Sequence, residues 1–88
     1  MQINVSVKME KEEGFILSNK FRKAVFLEVA AGGKYVKEIA KKHHLFPKMV
    51  ENAVSDLKNN GIIKDDGGLK LTDTGKKIFT RLKGSDII

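Results

Sequence analysis

The chain has 88 residues, 41% hydrophobic and 32% charged, with a formal net charge of +6 and no cysteine. Disulfides, thiolate catalysis and cysteine-ligated zinc are excluded, and the composition is that of a globular chain rather than a disordered one. One domain is expected over 1–88, and the basic balance favours a polyanionic partner, either nucleic acid or an anionic membrane surface.

Ile3, Val5, Val7 and Met9 alternate with polar residues, a period of two that predicts a half-buried amino-terminal strand. Glu10 to Gly14 break that pattern with charge and a glycine, so 1–14 reads as a strand-like extension. It lacks the continuous apolar core of a secretory signal. Ser18 or Asn19 can cap a helix to about Ala31. Phe21, Ala24, Val25 and Glu28 share one face of it, while Phe26, Val29 and Ala30 share the next, so it should be packed on more than one side. Gly32-Gly33 ends it.

The longest apolar stretch, Ala24 to Ala31, is interrupted by Glu28 and is far too short to span a bilayer. A soluble, cytoplasmic chain with no membrane partner is therefore expected.

Tyr35 to about His43 predicts a second, short helix with Val36, Ile39 and Ala40 inward and Lys37, Lys41 and Lys42 outward. A turn through Leu45 leads to a third helix, Phe46 to Asn60, with Pro47 in its first turn. Phe46, Val50, Ala53, Val54 and Leu57 recur at helical spacing and define its expected apolar face. Ile62-Ile63 opens a strand, Asp65-Asp66-Gly67-Gly68 is a hairpin turn, and Leu69-Lys70-Leu71 returns. Thr72 caps a last helix to about Leu82, with Ile78, Phe79 and Leu82 facing inward, and Gly84 ends it.

Val36-Lys37-Glu38-Ile39-Ala40, Leu45, Val50, Val54, Leu57, Gly61, Ile62 and Ile63, in this order, resemble the winged helix-turn-helix pattern. Leu71-Thr72-Asp73-Thr74-Gly75 resembles the L-T-x-x-G step out of the wing in many bacterial and archaeal regulators, including the MarR, PadR and ArsR-like groups. The resemblance spans 20–83, within an expected core of 19–83. It implies an α+β, mainly α fold, with a three-helix core, a short β-hairpin wing and a carboxy-terminal helix, to which the amino-terminal strand is added. The implied function is sequence-specific binding of double-stranded DNA by a transcriptional regulator. A homodimer is implied, with the amino-terminal strand, the helix to Ala31, Phe79, Ile87 and Ile88 as its candidate interface.

In a helix-turn-helix the second helix lies in the major groove and the first braces it across the backbone. Opposite Val50, Val54 and Leu57, the helix Phe46 to Asn60 carries Lys48, Asn52, Ser55 and Asn59, types that contact phosphates or base edges. Lys37, Lys41 and Lys42 on the bracing helix are candidate phosphate contacts, as is Lys70 on the hairpin. Glu51 and Asp56 flank the outer face, and the helix has no arginine, the commonest base reader. The acidic residues around this helix and at the wing tip, Asp65-Asp66, favour an alternative, a protein-interaction winged helix within a larger assembly.

An RNA or replication-associated module is a further alternative. It needs an exposed aromatic platform, whereas the aromatics here mostly fit core positions. His43 and His44 are adjacent on a helix, so they diverge by about 100° and make a poor metal pair. No phosphate loop, nucleophile elbow or histidine-carboxylate motif is present. Neither an enzyme nor a cofactor is expected, and no small-molecule ligand is evident.

Overall fold

The computed structural model describes residues 11–85. The strand expected over Ile3 to Met9 and the tail residues Ile87 and Ile88 lie outside the described residues. The architecture is mainly helical with one small antiparallel sheet, in the order α1 (Lys11–Leu17), α2 (Lys20–Ala30), α3 (Val36–His43), α4 (Pro47–Asn59), β1 (Ile63–Asp65), β2 (Leu69–Leu71) and α5 (Asp73–Gly84).

The expectation fails first at α1. Glu10 to Gly14 read as a break, yet Lys11–Leu17 is helical despite Gly14. Its stability comes from packing onto other elements. Ile16 is fully buried in the core, and Arg81 Nε donates to Glu13 Oε2 at 2.9 Å from the far end of the chain. Tertiary packing of this kind overrides a weak local propensity.

The other helices start where their caps allow. Asn19 Oδ1 accepts from the amides of Phe21 and Arg22, satisfying two orphan donors of α2. α2 buries Val25, Phe26 and Val29 against α4, where Val50, Ala53, Val54 and Leu57 form the facing stripe, and Ile39 and Ala40 of α3 complete the layer. Phe46 does not belong to that stripe. It is the N-cap residue of α4, with an extended backbone (φ −66°, ψ 129°), and its side chain is 79% exposed.

Three helix ends share one hydrogen-bond scheme. At α2, the Gly33 amide donates to the Glu28 carbonyl and Gly32 to Val29. At α4, Ile62 donates to Leu57 and Gly61 to Lys58. At α3, Leu45 donates to Ala40 and His44 to Lys41. This is the Schellman motif, which needs one residue with positive φ. Glycine supplies it at Gly32 and Gly61, but at α3 the residue is His44, with φ 55°. The resulting connection between α3 and α4 is three residues long, His44 to Phe46.

The hairpin pairs Ile63 with Leu71, Lys64 with Lys70 and Asp65 with Leu69. The segment before α3 joins it, because the Leu69 amide donates to the Lys34 carbonyl at 2.9 Å. Thr72 then locks the step into α5. Its amide donates to the Ile62 carbonyl, its hydroxyl lies 2.6 Å from the Gly61 carbonyl, and its oxygen accepts from the Gly75 amide at 3.0 Å. A Cβ at position 75 would overlap the Ile62 carbonyl oxygen, so the close approach of α5 requires Gly75. The L-T-x-x-G signature is thus one capped junction. Ile78 and Leu82 are buried by it, whereas Phe79 is only half-buried.

Candidate nucleic-acid interface

α3 and α4 pack against each other across the tight His44–Phe46 turn. The i, i+3, i+4 and i+7 positions of α4 turn Val50, Ala53, Val54 and Leu57 inward, which leaves Lys48, Asn52, Ser55 and Asn59 on the outside. All four are exposed, and none of their side chains makes a hydrogen bond or ion pair with another described residue. Lys37 and Lys41 on α3 are likewise exposed and unpaired among the described residues.

Two other candidates have partners. Lys42 Nζ lies 3.1 Å from Glu28 Oε1, and His43 Nε2 contacts the same oxygen at 3.1 Å. The His43 hydrogen bond, with the Lys42 ammonium next, holds the Glu28 carboxyl below its ordinary value, against the opposing effect of burial. The cluster ties the end of α3 to α2. Lys70 Nζ sits 3.9 Å from Asp66 Oδ2. As the register partner of Lys64, Lys70 shares its face of the hairpin, and both line a groove with α5.

The acidic flanks differ in kind. Glu51 is exposed, but Asp56 Oδ2 accepts from Arg22 Nε at 3.4 Å and so is partly neutralised from within the fold.

Two apolar residues join the outer surface unannounced, Phe46 at the start of α4 and Met49 (39% exposed) three residues on. Tyr35, the N-cap residue of α3, is 54% exposed. The expectation that the aromatics fit core positions therefore fails for Phe46 and Tyr35, and Phe26 alone of the described aromatics is fully buried. The signal for Phe46 was its neighbour. A residue before proline is biased out of the α region, and Phe46 before Pro47 takes the cap position.

No known protein family, curated protein or solved structure significantly matches the chain.

Proposed function

We propose that the chain is a winged helix-turn-helix that binds double-stranded DNA as a sequence-specific regulator, with α4 in the major groove, α3 bracing it and the hairpin as the wing. The observation that carries this reading is the outer face of α4. A helix presenting Lys48, Asn52, Ser55 and Asn59 with no partners among the described residues, behind a three-residue turn, has the donors and acceptors a major groove offers to match. Lys37 and Lys41 extend the positive surface along α3 and contact phosphates. Lys42 and Lys70 contribute less, because each already faces a carboxylate. The regulator acts as a homodimer on two half-sites.

Fluorescence anisotropy of a labelled duplex, titrated at several salt concentrations, tests this. Affinity that falls steeply as salt rises is expected. Within a selected site, Asn52→Ala should weaken sequence preference, and Lys41→Ala should weaken all duplexes alike, by more than Lys42→Ala does. Absence of duplex binding at low salt rejects the reading.

A second reading, a protein-interaction module, is favoured by Phe46 and Met49. An exposed phenyl beside a thioether at the start of α4 is apolar surface suited to a partner's pocket. It expects no duplex binding and loss of the partner on Phe46→Ala.

A further inference from the structure

A groove of about 630 Å³ runs between the end of α2, the hairpin and α5. That size falls within the roughly 300–1,000 Å³ of small-molecule sites. Its floor is apolar, with Val29 and Leu69 buried and Leu71 and Phe79 half-buried. Its rim is cationic, with Lys34, Lys64, Lys70 and Lys76 contributed by the segment before α3, by β1, by β2 and by α5.

The four lysines are not a solvated helix face, because they come from four segments brought together only by folding. Their backbones are fixed. The Lys34 carbonyl accepts from Leu69, its side-chain stem passes beside Gly68, and Lys64 and Lys70 are register partners. Lys34, Lys64 and Lys76 have no ion pair among the described residues, and Lys70 reaches Asp66 only at 3.9 Å. Asp73 is the carboxylate in the lining, so positive charge dominates. A concave site with apolar walls focuses such a field and concentrates anions.

We propose that this groove binds a small amphipathic anion, an apolar ring or short chain carrying a carboxylate or phosphate. The apolar body covers Leu71 and Phe79, and the anionic group is shared among the ammonium groups. The site lies apart from the outer face of α4 and shares only Lys70 with the proposed DNA contacts, and the proposal does not rest on DNA binding.

Amide chemical shifts of the full 88-residue chain, titrated with 1-naphthoate, 1-naphthyl phosphate and neutral 1-naphthamide, test the assignment. Shifts should concentrate at Val29, Lys34, Leu69, Leu71 and Phe79. At low salt the better anion should bind about tenfold tighter than the amide, in line with charge-assisted contacts. The order of the two anions identifies the preferred head group. The doubly substituted Lys34→Gln, Lys76→Gln chain should lose that advantage while its affinity for the amide is unchanged. Both lysines are exposed, so its fold should be intact, as its spectrum will report. Equal affinity for all three probes, shifts centred elsewhere, or an unchanged preference in the double variant overturns the proposal.

Discussion

Two regions of the molecule use charge in opposite ways. Where α1, α2, α4 and α5 meet, charged groups are tied to one another. Arg22 donates to Asp56 on α4 and, at 2.9 Å, to the Phe15 carbonyl on α1, and its guanidinium lies 4.0 Å from the centre of the Phe15 ring. Arg81 on α5 holds Glu13 on α1. On the outer surface of α3 and α4, Lys37, Lys41, Lys48, Asn52, Ser55 and Asn59 hold nothing among the described residues. Both arginines of the chain are in the first region. A planar guanidinium orients several elements at once, whereas an ammonium on a flexible stem adapts to what it meets. Both arginines thus act as fasteners between helices, and the cation on the outer face of α4 is a lysine, Lys48.

The sharpest way to break the tied region is at its narrowest point. Gly75→Ala forces a methyl against the Ile62 carbonyl and should cost about 3 kcal/mol by overpacking, lowering the midpoint by roughly 12–24 °C for a domain of this size. Thermal unfolding followed by circular dichroism measures it. A midpoint within a few degrees of the parent would mean that α5 does not approach the hairpin as described.

Next in size, Arg22→Met should lose about 2 kcal/mol, since it removes two charge-assisted hydrogen bonds and a cation–π contact. Lys48→Met, on the free surface, should stay within about 0.5 kcal/mol of the parent. Urea midpoints compare the two, and equal losses would erase the distinction between the regions.

The turn between α3 and α4 adds a smaller effect of opposite sign. His44→Gly relieves a left-handed residue but loosens the unfolded chain, for a net gain of about 0.5 kcal/mol. Gly61→Ala, at the matching position of α4, should lose about 1 kcal/mol. A loss in the histidine variant would point to a role for the imidazole beyond the turn.

The smallest effect depends on pH. Because the folded-state pKa of Glu28 is depressed, its contribution is present above the ordinary value of 4.5 and is lost as pH falls through the folded value. The parent should therefore exceed Glu28→Gln in stability at neutral pH, and the gap should close only below about pH 4.5. A gap that persists at pH 2 would assign the effect to packing instead.

Much of this was legible in the sequence, for local reasons. Asn19, Thr72, Gly32 and Gly61 announce helix ends because caps act within a few residues. The exposure of Lys48, Asn52, Ser55 and Asn59 follows from helical period alone. What escaped depends on distance along the chain. α1 is secured by a residue 68 positions away. The lysine-rimmed groove gathers four segments, and Lys34 reaches the hairpin through a backbone hydrogen bond from Leu69 and the packing of its stem beside Gly68. Phe46 was misplaced for another reason: it fits the helical spacing but occupies a cap, where that spacing no longer holds.

The Thr72 junction also bears on the order in which the chain assembles. Its contacts with Gly61 and Ile62 span only ten or eleven residues and enclose a hairpin already held by its own register. Closing so short a loop sacrifices little chain entropy. The corner from the end of α4 to the start of α5 can therefore organise from sequence neighbours, ahead of contacts that span the chain. α1 combines both ranges, because Arg22 reaches the Phe15 carbonyl from only seven residues away, whereas the bond from Glu13 to Arg81 joins the two ends of the described chain and closes a far longer loop.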